Sequence, residues 1–258
     1  MIYKVTLKVE GILIFSSEVR PAIIQGDPLG SYITPLPYIH NYPLIYGIIG
    51  KSSEAYFVIP SMHLANYTER GGETELNYTS VKAVIEEAKK GKGFYIYPAI
   101  PKKIITSSFL MSSESWTYWL LRGKTKNVFP RLTSYTAFMP ESEFVTYMVS
   151  KKGFIPPEWI RIGKKRWGIM RVEVEEVKLQ KKEKKSDCLT SIPVNFKDTT
   201  EFGYEVKSFS KVLETPSSEE GLIGWVTLEE CWNVVGKVNQ ETVNLELPFP
   251  NESFISED

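Results

Sequence analysis

The stretch Ile160-Arg161-Ile162-Gly163-Lys164-Lys165-Arg166-Trp167-Gly168-Ile169-Met170-Arg171-Val172-Glu173-Val174 reads as two β-strands joined by a cationic tip. Ile160 and Ile162 alternate with polar neighbours on one side, Val172 and Val174 on the other, and a period of two marks a strand with one buried face. Gly163 and Gly168 frame Lys164, Lys165, Arg166 and Trp167. Glycines in those places let the backbone approach a phosphate, and the indole of Trp167 offers a flat face on which a base can stack. A solvated hairpin whose cations only keep it soluble is the plain alternative, since charged tips are ordinary on strand hairpins.

Upstream, Tyr3, Val5, Leu7 and Val9 alternate with Lys4, Thr6, Lys8 and Glu10, which gives a half-buried first strand and not a signal peptide. Gly11 marks a bulge before an apolar continuation from Ile12 to Phe15. Arg20 to Pro37, rich in Pro and Gly, reads as a long excursion. Tyr38 to Ile49 reads as a short apolar helix with Pro43 in its first turn. Ser80 is placed to cap a second helix over Val81 to Lys90, ended by Gly91. Further strands are expected at Phe94 to Tyr97, Lys103 to Leu110 and Glu143 to Ser150, and a helix near Leu228 to Val235.

The whole chain is electrically neutral, with 31 basic and 31 acidic residues, yet its parts are not alike. Residues 186–258 carry 4 Lys against 14 acids, which leaves 27 bases and 17 acids before them. The run Lys178 to Lys185 falls where the sign changes, so a boundary is expected there: a basic domain over 1–180 and an acidic extension over 181–258. Such asymmetry points to an anionic ligand on the first part and a basic partner or solvent on the second.

A chain of 258 residues with 42% hydrophobic and 13% aromatic content is long enough and apolar enough for a well-buried core. No run approaches the roughly 20 apolar residues of a membrane helix. With only Cys188 and Cys231, a cytoplasmic, reduced protein is expected; the two cysteines could pair, but they have no metal-ligand spacing. No cofactor motif is present: there is no Gly-rich loop ending in Gly-Lys-Ser/Thr, no dinucleotide fingerprint and no nucleophile elbow. His40 and His63 are the only histidines, and neither has ligand-spaced company, so no metal is expected. His40 could serve as a general base for RNA cleavage, because an imidazole titrates near neutrality. In Tyr38-Ile39-His40-Asn41-Tyr42 it could equally bond backbone groups at a helix start.

Four landmarks taken in order resemble a known family: Phe15-Ser16-Ser17-Glu18, Pro37-Tyr38-Ile39-His40-Asn41-Tyr42, Tyr97-Pro98-Ala99 and Ile160-Arg161-Ile162-Gly163-Lys164. They resemble the subtype I-D CRISPR effector subunit that caps the 5′ end of the guide RNA, within the repeat-associated (RAMP) superfamily, over roughly residues 3–178. The resemblance implies an α+β, ferredoxin-like fold related to the RNA-recognition motif, with long insertions and a β-rich C-terminal extension. It implies a subunit of the Cascade complex that grips the 5′ handle of the crRNA; a non-catalytic one is expected, because His40 and His63 are the only side chains with an unperturbed pKa near neutrality and neither has catalytic company. It further implies contacts with the backbone subunit, the large subunit and target double-stranded DNA near the protospacer-adjacent motif (PAM). Expected RNA contacts are Arg20, His40, Asn41, Tyr42, Arg161, Lys164, Lys165, Arg166, Trp167 and Arg171. Tyr32, Lys102, Lys103, Lys124 and Lys126 are expected on a thumb-like element or near DNA. Because the related subunit of a sister subtype is a metal-independent endoribonuclease, cleavage of repeat RNA is the alternative activity.

Overall fold

The computed structural model describes residues 1–14, 22–23, 31–33, 35–50, 84, 86–112, 132–151, 153–163, 168–214 and 222–250. The elements begin with β1 (Ile2–Val9), β2 (Ala22–Ile23), β3 (Ser31–Ile33), α1 (Asn41–Ile49) and a π-helical turn (Glu87–Lys92). Next come β4 (Phe94–Ile96), β5 (Ile100–Lys103), β6 (Thr106–Ser112), β7 (Leu132–Phe138), β8 (Glu143–Ser150), β9 (Trp159–Ile162) and β10 (Gly168–Glu176). The last part comprises β11 (Lys178–Leu189), β12 (Val194–Asn195), α2 (Phe196–Glu201), β13 (Val206–Glu214), β14 (Ile223–Val238) and β15 (Glu241–Leu247).

Strand β1 is the centre of the first sheet, ordered β4-β8-β1-β10-β9 with β5 also on β8. As the alternation requires, Tyr3, Val5, Leu7 and Val9 are buried while Lys4, Thr6 and Lys8 stay partly exposed. The buried row meets Leu44, Ile45 and Ile48 of α1 together with Val84 and Ala88. Helix α1 is apolar on every side, as a helix enclosed by its neighbours must be. Pro43 is its third residue, where the missing N–H has no intrahelical partner to lose. Gly50, at φ 78°, ends it in the left-handed conformation, its N–H donating to the carbonyls of Tyr46 and Gly47. The helical turn before β4 runs to Lys92 and is ended by Gly93 at φ 65°, so Gly91 is not its stop.

The expectation of an α+β ferredoxin-like fold is met only in part. The described residues are mostly β-strand, and between β8 and β10, where such a fold places its second helix, they form β9 instead. The excursion from Arg20 to Pro37 is also more than loop. Its strands β2 and β3 join β6 and β7 in a sheet ordered β2-β3-β7-β6, with β3 parallel to β7. Leu13 ties that sheet to the first, exchanging backbone hydrogen bonds of 2.9 and 3.0 Å with Phe138. The N–H groups of Glu10 and Gly11 both reach the carbonyl of Ile169, the two-against-one pairing of a bulge, as Gly11 led one to expect.

The third sheet is antiparallel and built on the 16-residue β14. Strands β11 and β12 lie along one side of it, β13 and β15 along the other. This corrects the helix expected at Leu228 to Val235, which is strand. Leu228, Cys231 and Val234 are buried at a spacing of three, and that spacing imitates a helical face. The inner face of this sheet covers Ile2, Tyr95, Tyr97, Tyr147 and Val149, on the side of the first sheet opposite α1. A disulfide joins Cys188 of β11 to Cys231 of β14 within that core, in place of the reduced thiols expected. The charged run Lys178 to Lys185 is the exposed first part of β11. Among the described residues, no helix is long and apolar enough to cross a membrane.

Candidate nucleic-acid interface

Strands β9 and β10 pair so that Trp159 faces Arg171 and Arg161 faces Ile169, while Ile160 faces Met170 and Ile162 faces Gly168. Paired residues in an antiparallel ladder share a face. The second set is buried under α1, so the first set points outward. Trp159 is 44% exposed, and the Arg171 guanidinium lies 5.0 Å from its ring centroid, within cation–π range. Arg171 Nε is also 3.4 Å from the Glu10 carboxylate, an ion-pair distance without hydrogen-bond alignment. Arg161 is exposed and forms no ion pair among the described residues. The tip itself, Lys164, Lys165, Arg166 and Trp167, lies outside the described residues.

The glycines that frame the tip have an internal reason to be glycine. A Cβ on Gly163, which sits at φ 80°, would lie 2.6 Å from the Ile14 carbonyl oxygen. One on Gly168 would lie 2.3 Å from Leu13 Cδ1. Both spaces are filled by the segment that follows β1, so packing accounts for these residues without any phosphate.

At the other end of α1, His40 caps the helix, its Nδ1 accepting from the Tyr42 N–H at 3.1 Å. His40, Asn41 and Tyr42 are buried, and the last two face an acid from the C-terminal sheet. Asp198 Oδ2 accepts from Asn41 Nδ2 and from the Tyr95 hydroxyl, each at 2.7 Å, and Oδ1 accepts from the Tyr42 hydroxyl at 3.0 Å. Asn195 caps α2 by accepting from the Asp198 N–H and donates through Nδ2 to Asn41 Oδ1 at 3.3 Å. Burial raises the Asp198 carboxyl above the ordinary carboxylate range, while the bonds from Tyr95, Asn41 and Tyr42 and the charge of Lys89 pull it back down. Burial first, and the Asp198 charge second, hold the Tyr95 hydroxyl well above its usual value. The network bolts α2 to α1 and β4.

Of the remaining candidates, Lys102 and Lys103 are exposed on β5 and paired with Glu143 at 3.2 Å and Glu141 at 3.1 Å. Lys8 pairs with Glu173 at 2.8 Å on the same open face, which is therefore balanced in charge. Tyr32 sits in β3 opposite Ser134 of β7. Arg20, Lys124, Lys126 and His63 lie outside the described residues. Among the described residues Cys188, Cys231 and Glu246 bring possible metal ligands within 4.8 Å of one another, but the disulfide occupies both sulfurs.

The description "Type I-D CRISPR-associated protein Cas5/Csc1" matches residues 1–248. The chain belongs to that family. Its match runs well past residue 178, so the acidic β14–β15 region is family structure and not an unrelated tail. No curated protein matches the chain. Membership places the chain in a type I-D CRISPR system as a Cascade subunit. Sequence reasoning overlooked Trp159, although Trp159 and Arg161 alternating with Ile160 and Ile162 already put both on an outward face.

Proposed function

We propose that this Cascade subunit binds the crRNA 5′ handle without cutting it, and that the β9–β10 hairpin makes the contact. The observation that carries this reading is the outward face of that hairpin, where Trp159, Arg161 and Arg171 stand together on the two strands that flank residues 164–167 in sequence. Arginines with an aromatic ring are the groups single-stranded RNA binds: guanidinium for phosphate, ring for base. The order β10-β1-β8-β4 supports an RNA-recognition-like core that has lost its second helix. Such cores stack bases on the sheet face opposite the helices. Here the third sheet covers part of that face and ion pairs occupy much of the rest, so among the described residues the hairpin at its margin is the surface left for RNA.

In the same reading, His40, Asn41 and Tyr42 support α1 from within, and Arg161, Lys164, Lys165, Arg166, Trp167 and Arg171 meet the handle. The β2-β3-β7-β6 sheet, which holds Tyr32 of the expected thumb-like element, abuts the backbone subunit. The large subunit and the PAM-proximal DNA lie toward Lys102 and Lys103. The test is charge reversal of Lys164, Lys165 and Arg166, with affinity for handle RNA measured across salt concentrations. Each lost phosphate contact should lower the log–log slope by about 0.7. An unchanged slope in a folded variant would refute the assignment.

A further inference from the structure

Beside the hairpin an open groove of about 440 Å³ runs between the last turn of α1 and β9. Its size falls in the range of small-ligand sites, roughly 300–1,000 Å³. Trp159, Pro157 and Ile169 give it apolar walls, Arg161 stands in its lining, and Gly47 and Gly50 border it from α1. Gly47 keeps the helix close, since a Cβ there would lie 2.7 Å from Ile162 Cγ2, whereas one on Gly50 would meet nothing within 4 Å. We propose that this groove seats one unstacked nucleobase of single-stranded RNA, its ring against Trp159 and its phosphate at Arg161.

The electrostatics favour a base over a buried anion. The end of α1 that borders the groove is its C-terminus, whose carbonyls carry partial negative charge. A phosphate would be repelled there, while the amino and imino hydrogens of a base edge would be attracted. The anion is instead accommodated by Arg161, an exposed cation without an ion-pair partner among the described residues. Arg171 already lies over the Trp159 ring, and a base on the other face would complete a guanidinium–indole–base stack. The inference deepens the hairpin reading above and rests on it.

The experiment uses the full chain and a set of repeat-derived 5′-handle RNAs in which one nucleotide at a time is made abasic. Trp159→Ala should weaken binding of the intact RNA about 5- to 150-fold, and Trp159→Phe should restore most of the loss. One abasic position should cost wild-type protein a similar factor and cost Trp159→Ala protein nothing further. Additive losses at every position, or unaltered affinity in Trp159→Ala, would overturn the base seat. If reversal of Lys164, Lys165 and Arg166 still abolishes binding in that case, the hairpin site stands and only the groove falls. If neither variant changes affinity, both readings fall. A Trp159→Ala protein that binds RNA normally but no longer assembles with the backbone subunit would assign the groove to a protein partner and refute the proposal.

Discussion

Replacing Asp198 by alanine would remove the acceptor shared by Asn41, Tyr42 and Tyr95, and the consequences follow from its surroundings. Asp198 is 1% exposed and takes three hydrogen bonds of 2.7 to 3.0 Å. A buried polar group left without a partner costs about 1–3 kcal/mol. Water entering the vacated space re-satisfies some of the three, and the desolvation that raises the Asp198 pKa is relieved, so a net loss of about 2–4 kcal/mol is expected. At about 2–4 °C per kcal/mol for a chain of this size, melting should fall by roughly 4–16 °C. Asp198→Asn should cost far less, because its carbonyl oxygen can serve two donors and the Tyr42 hydroxyl can turn to accept from its amide.

The pH dependence carries a sign. The folded state raises this carboxyl above its ordinary value of 3.8, so it binds the proton more tightly than the unfolded chain does. The resulting stabilisation is complete below the unfolded pKa and is lost as pH rises through the folded one. The stability gap between wild type and Asp198→Ala should therefore widen as pH falls from neutrality toward that window, while Asp198→Asn shows no such change. Urea unfolding followed by circular dichroism at several pH values measures both effects. A gap below about 1 kcal/mol, or one that narrows on acidification, would show that this network is not what holds the C-terminal sheet to α1.

Truncation after Gln180 should yield an aggregated or unprotected chain, since it strips the cover from Tyr95, Tyr97 and Tyr147; a monomer with slow amide exchange in β1 would refute this. Gly47→Ala should cost about 1–3 kcal/mol by wedging α1 from β9, given the 2.7 Å approach to Ile162, and should weaken handle RNA binding; equal stability and affinity would contradict the close packing. Gly50→Ala, with open space around it but φ at 78°, should cost only about 1–2 kcal/mol of left-handed strain, read from the same unfolding curves. Incubated with repeat RNA, the purified protein should leave it uncut. A single defined cut abolished by His40→Ala would instead establish the endoribonuclease activity.

What the sequence disclosed depended on how local the cause was. The alternation of Tyr3 to Val9 places β1 without help from the rest of the chain, and β8 runs from Glu143 to Ser150 as expected. Helix α1 begins beside His40 with Pro43 tolerated in its first turn, again for local reasons. Elements shaped by long-range packing were misread. The buried spacing of Leu228, Cys231 and Val234 imitates a helix because β14 is a long strand in a curled sheet, and no local signal separates the two. Asn41 and Tyr42 looked available to RNA only because their partner, Asp198, lies more than 150 residues away. The acidic composition of residues 186–258 likewise reads as a solvated appendage, although one of those acids is buried against α1 and β4. A sequence average cannot separate an acid that faces solvent from one that joins two sheets. For RNA the consequence is geometric: the sheet that carries Asp198 also covers Tyr95, Tyr97 and Tyr147, aromatics on the face that recognition-motif folds use for stacking. Those rings are enclosed, and in the function proposed above the exposed ring at the margin, Trp159, takes their place.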